Sequence, residues 1–145
     1  MTNQRFQHSD AWIFISMAFY QGEAGTSLRD LIATADYINH AIPTDDEIEA
    51  AINRLSSAGL VTVQDDHFYL TAAGRIVLQE FHGKRTSLLK MWELVGKQLD
   101  SAEFPQLEIP AFKLKPEQFR AAYNSYYELI SHTEKKPARK KKPVK

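Results

Sequence analysis

The clearest pattern of apolar and polar positions runs from residue 42 to residue 74, and its period changes along the way. After the polar run Thr44-Asp45-Asp46-Glu47, apolar residues recur at Ile48, Ala51, Ile52 and Leu55. That 3–4 spacing puts one buried stripe on a helix. Thr44 and Glu47 have the spacing of a capping box, and Asp45 and Asp46 place carboxylates in the first turn, where the helix dipole favours them. Gly59 falls where a left-handed residue stops a helix. Residues 60–64 and 68–70 then turn β-branched and aromatic around Asp65-Asp66-His67, which predicts a small hairpin. Thr71 caps a new helix over about residues 72–82.

Residues 1–8 are polar and read as loose. Ser9 or Asp10 is placed to cap a helix over about residues 11–21, apolar nearly all round with Trp12, Ile13, Phe14, Ile15, Met17, Ala18, Phe19 and Tyr20. Such a helix must be covered on most sides. A turn follows at residues 22–25. Ser27 and Asp30 begin the next helix, whose stripe is Leu28, Leu31, Ile32, Ala35 and Ile38; it ends near His40, before Pro43. Two helices joined by a short turn make a helix-turn-helix unit. Gly83 breaks or bends the chain. Residues 87–99 carry Leu88, Met91, Trp92, Val95 and Leu99, a spacing that suits a pairing helix or packing onto the domain. Residues 100–115 read as an extended connector, with Pro105, Pro110 and alternating Leu107, Ile109, Phe112 and Leu114. Pro116 opens a last helix to about residue 131, with the stripe Phe119, Ala122, Tyr123, Tyr126 and Ile130. From residue 132 the chain is low in complexity and is expected to be disordered.

These elements predict a mainly α fold with a small β-hairpin. They divide into a domain over residues 9–82, a helical extension over 83–131 that is a candidate dimerisation arm, and a basic tail over 132–145. Asn53-Arg54-Leu55, Ala58-Gly59-Leu60-Val61 and Phe68-Tyr69-Leu70-Thr71-Ala72-Ala73-Gly74-Arg75 resemble the recognition-helix, wing and post-wing signature of bacterial winged-helix transcription regulators of the MarR and PadR type. The resemblance spans about residues 10–81. It implies a winged helix-turn-helix with C-terminal helices, DNA binding and transcription regulation. It also implies a homodimer whose two copies match two half-sites.

Charge changes that picture. The formal net charge is zero over 145 residues. Residues 1–134 nevertheless hold 11 basic against 18 acidic side chains, a balance of −7, and residues 135–145 hold seven basic and none acidic. Over residues 10–80 there are three basic and 11 acidic side chains, a balance of −8. A carboxylate about 8 Å from a phosphate costs roughly 0.5 kcal/mol in water, so several together offset a few good contacts. The nucleic-acid-binding candidates are Thr44, Asn53, Arg54 and Ser57 on the helix, His67 at the hairpin, and Lys135, Lys136, Arg139, Lys140, Lys141 and Lys142 in the tail. If all seven tail charges met phosphates, the log–log salt slope on duplex DNA would be roughly −6; a solvated tail that aids solubility is the plainer reading. The dimer candidates are Leu88, Trp92, Val95, Phe119, Tyr123 and Tyr126. Tyr123, Tyr126 and Tyr127 could also stack on bases. The acidic surface supports an alternative reading, a winged helix that contacts proteins instead of DNA.

Other functions find no support in the residues. There is no cysteine, and the five histidines, at 8, 40, 67, 82 and 132, show no metal-ligand spacing. No metal or cofactor is expected. Phosphate-loop and nucleophile motifs are missing, so an enzyme is not expected. The apolar run at residues 11–20 is about half the length needed to span a bilayer, and no secretory pattern opens the chain. A cytoplasmic protein without membrane contact is the expectation.

Overall fold

Helices in this chain begin where a side chain accepts the first free amides. A computed structural model describes residues 6–18, 25–79 and 87–141, with side chains as far as Ser131. It holds α1 (His8–Ala18), β1 (Thr26–Ser27), α2 (Leu28–Asn39), α3 (Asp45–Ser57), β2 (Val61–Gln64), β3 (His67–Leu70), α4 (Ala72–Gln79), α5 (Leu88–Ser101) and α6 (Pro116–Lys141). The fold is mainly helical with a small three-stranded antiparallel sheet in the order β1-β3-β2. Ser27 Oγ accepts from the Asp30 amide at 3.1 Å, and Ser87 Oγ accepts from the Lys90 amide at 3.1 Å. The capping box of α3 is closed on both sides: Glu47 N donates to Thr44 Oγ1 at 3.0 Å, and Thr44 N donates to Glu47 Oε1 at 2.9 Å.

α3 stops as its glycine requires. Gly59 has φ +80°, Gly59 N donates to Ser56 O at 3.0 Å and Leu60 N donates to Leu55 O at 3.0 Å. This is the paired 5→2 and 6→1 closure of a Schellman motif. Thr71 then ties α4 to the start of β2: its amide donates to Leu60 O at 3.0 Å and its hydroxyl donates to Gly59 O at 2.6 Å. Gly74 completes the tie, because a Cβ there would collide with the Leu60 carbonyl oxygen. The run from Leu70 to Gly74 therefore encodes a cap followed by a close approach.

Three boundaries differ from the sequence expectation. α1 begins at His8, and Asp10 lies inside its first turn as a fully buried carboxylate that accepts from Gln7 N at 2.8 Å. The hairpin turn is Asp65-Asp66 alone, with φ 50° and 63°, and His67 already belongs to β3, opposite Gln64 and Ser27. Two left-handed residues make a type I′ turn, whose twist suits the strands, and Asp tolerates that conformation better than most residues. β1 was not expected, since two residues are too few to show a period of two. The expected end of the first helix near Gln21, the turn at 22–24, the end of the post-hairpin helix at His82 and the break at Gly83 lie outside the described residues. The backbone of α6 stays helical to Lys141, past the expected end near residue 131 and through residues expected to be disordered; Glu, Lys, Arg and Ala there rank high in helix propensity, whereas Pro137, inside the stretch, ranks lowest.

α1 sits at the centre. Trp12, Ile13, Phe14, Ile15 and Met17 are all buried, and α2, α3 and α5 pack around them. Trp12 Nε1 donates to Ala35 O at 3.0 Å. Trp92 of α5 stacks on Trp12 at 5.4 Å and donates from Nε1 to His8 O at 2.9 Å. α6 lies on α2, where the Tyr126 hydroxyl donates to Asp36 Oδ2 at 2.7 Å. Trp92, Val95 and Tyr126, offered by the sequence as dimer contacts, are buried within their own chain; Leu88 and Phe119 are half-buried against its core, and Tyr123, also half-buried, stacks with Phe119 and Tyr127 of its own helix. The C-terminal helices thus pack in cis, because their apolar stripes meet the uncovered sides of α1 and α2. No helix among the described residues is long and apolar enough to cross a membrane.

Candidate functional site

The site candidates on α3 divide by helical geometry. Positions 48, 51, 52 and 55 face the core. Glu49, Asn53 and Ser57 are four residues apart and form a second stripe on the outward side. All three are in use. Glu49 Oε1 accepts from Leu114 N at 2.7 Å. Asn53 donates from Nδ2 to Phe112 O at 2.9 Å and accepts on Oδ1 from Phe112 N at 2.7 Å. Ser57 Oγ donates to Leu107 O at 3.0 Å, and Ser57 O accepts from Leu107 N at 2.8 Å. The connector between α5 and α6 therefore runs antiparallel along the outer face of α3 and is pinned there at three points.

Apolar contacts fix the same strap. Phe112 meets Phe68 edge-on at 5.5 Å, Phe104 meets Phe6 edge-on at 6.0 Å, and Leu114 is buried. Leu107 and Ile109 remain exposed at 45% and 39%. From Glu49 to Ser57 the helix rises about 12 Å. The strap from Leu107 to Leu114 has enough extended chain for roughly 23 Å. The excess falls between the anchors at Leu107 and Phe112, so residues 108–111, all exposed, have to take it up as a bow. Beneath the bow lies a groove of about 630 Å³ between the strap and strand β2. Val61, Val63, Leu107, Ile109 and Phe112 line it, with Ser56 alongside and Asp65 and Asp66 at its rim.

Arg54 faces neither solvent alone nor the strap. Its Nε donates to Asp10 Oδ2 at 2.6 Å and its Nη2 donates to Asp10 Oδ1 at 3.1 Å. Asp10 is fully buried, so this two-point pair ties α3 to α1 and neutralises a carboxylate that would otherwise be costly there. Ser56 is buried, and its hydroxyl has no hydrogen-bond partner. Thr44 is exposed, with its hydroxyl oxygen held by the capping box. His67 is half-buried, and its Nδ1 lies 2.9 Å from Asp65 O. The tail candidates Lys135, Lys136, Arg139, Lys140 and Lys141 follow on the α6 backbone, their side chains outside the described residues; Lys142 lies outside them altogether.

The structure thus brings Asn53 and Ser57 together with Glu49, but as anchors for the chain's own strap. Leu107, Phe112 and Leu114 are the partners that sequence reasoning missed. Their alternation was visible; their destination was not, because they bind through backbone groups that every residue type shares. No group of three or more histidines or carboxylates among the described residues is placed to hold a metal ion. No family model, no curated protein and no solved structure matches this chain.

Proposed function

We propose that residues 8–79 form a winged helix-turn-helix used for protein contact, and that α3 does not read DNA while the strap is seated. The order α1-β1-α2-α3-β2-β3, with α3 as the second helix of the pair and β2-β3 as the wing, supports the winged-helix reading. The observation that carries the function is the covered stripe Glu49-Asn53-Ser57. A DNA reader inserts the exposed face of this helix into the major groove. Here that face bonds Leu107, Phe112 and Leu114 of the same chain. Arg54, the cation on α3, is committed to Asp10. Asp45, Asp46 and the turn carboxylates Asp65 and Asp66 add charge that repels phosphate.

DNA binding across a salt series tests this, using the full chain and a variant with the seven basic residues of 135–145 replaced by Gln. The expected result is no sequence-selective binding by either. Any affinity of the full chain is steep in salt, with a slope no larger than roughly −6, and is lost with the tail charges. Selective binding that survives in the Gln variant overturns the proposal and restores a DNA-binding regulator.

A further inference from the structure

We propose that the groove between β2 and the bowed strap receives an extended peptide segment of a partner protein, which adds as a strand to the free edge of β2. The inference rests on the protein-contact reading and names the surface that serves it. The register sets which backbone groups are free. In a hairpin with a two-residue turn, Gln64 and His67 form a hydrogen-bonded pair, and so do Thr62 and Tyr69 two residues on. The N–H and C=O of Val61 and Val63 then point away from β3, toward the groove. No described residue pairs with that edge of β2. An exposed strand edge is a ready template for an incoming strand, and side-chain pockets beside it supply specificity.

A second observation points into the same groove. Ser56 is 7% exposed, its hydroxyl has no partner, and it lines the groove. Buried hydroxyls are normally bonded; this oxygen is shielded from the groove as it stands, and it bonds a polar group of the occupant once the strap shifts enough to uncover it. Leu107 and Ile109 offer apolar walls that are exposed without one. Charge chooses the occupant. Asp65 and Asp66 stand at the rim against Lys113 as the one cation lining the groove among the described residues. The segment therefore carries apolar residues at alternate positions and a lysine or arginine at the end nearest the hairpin turn. The acidic rim disfavours a nucleic-acid strand.

The test selects peptides from a displayed library of random twelve-residue sequences against the full chain, then measures synthetic copies of those selected. The expected peptides alternate apolar residues beside a basic one, and they slow amide exchange at Val63 at least tenfold. Val63→Pro removes the outward N–H, which β3 does not use, and weakens binding roughly tenfold. Val63→Ala keeps that N–H but trims a side chain that lines the groove, so it weakens binding less than Val63→Pro does. Ser56→Ala weakens binding about fivefold yet raises the melting temperature, since it deletes an unpartnered hydroxyl; should Val63→Pro fail to fold, this split and the Val63 exchange decide. Selected peptides that leave Val63 exchange unchanged, or no selection above background, overturn the groove proposal. With DNA binding still absent, that outcome leaves the protein-contact reading standing. Selective DNA binding by the full chain overturns that reading itself.

Discussion

Ile52 and Asn53 are neighbours in the chain and lie on different faces of α3. Ile52 is fully buried among Ile48, Ala51 and Leu55, against α1. Asn53 is half-buried, and its amide closes two hydrogen bonds with Phe112, 59 residues away. Both faces of one helix are covered, yet by different physics. The inner face is held by removal of apolar surface from water, which needs only the right period. The outer face is held by side chains that bond a particular backbone segment, each net contribution being about 0.5–1.5 kcal/mol. A helix can therefore look half-solvated by composition and still present almost no free face.

Substitutions at these two positions separate the mechanisms. Ile52→Ala leaves a cavity in the core and is expected to destabilise the whole chain by about 3–4 kcal/mol in urea denaturation. A loss under about 1 kcal/mol would mean that the core closes around the gap and that the inner face is loosely packed. Asn53→Ala removes both bonds to Phe112 at once. The expected loss is about 1–3 kcal/mol, smaller because the freed backbone groups can reach water. Its signature is local: amide exchange at Phe112 and Leu114 accelerates well before exchange in α1. Equal acceleration at all amides would show that the strap and the core open as one unit, and the contrast between the faces would fail.

What was legible in the sequence follows the same division. The caps at Ser27, Thr44 and Thr71, the stop at Gly59 and the stripes of α2 and α3 act over four residues or fewer, and the structure bears each of them out. The hairpin was legible as an element, but its turn is one residue shorter than its polar run suggests. The outer face was not legible. Asp10 looked like a cap and Arg54 like a phosphate contact, while 44 residues apart they form a buried pair that no periodicity announces. The strap was legible as extended chain from Pro105, Pro110 and its alternation. Its docking line was hidden because Glu49, Asn53 and Ser57 look like ordinary solvent-facing residues until their backbone partners are located. The same limit applied to α5 and α6, whose stripes fit a second chain as well as the sides of α1 and α2.

The smallest expected effect tests whether the anchors of the strap act together. Ser57→Ala deletes the bond to Leu107 O but leaves the bond from Leu107 N, which uses the Ser57 backbone. Leu107 is also partly exposed, so water can replace the lost donor. The expected loss is therefore about 0.5 kcal/mol in urea denaturation, at the low end for one hydrogen bond. Combined with Asn53→Ala the two losses should not add. Once Phe112 is released, residues 107–112 are free to lift, and the Ser57 bond has less left to stabilise. A coupling of about 0.5 kcal/mol or more in the double-mutant cycle marks a strap that seats as a unit. Additivity within about 0.3 kcal/mol would mark independent anchors. The outer face would then be a set of separate contacts, and a partner could uncover part of α3 without displacing the rest.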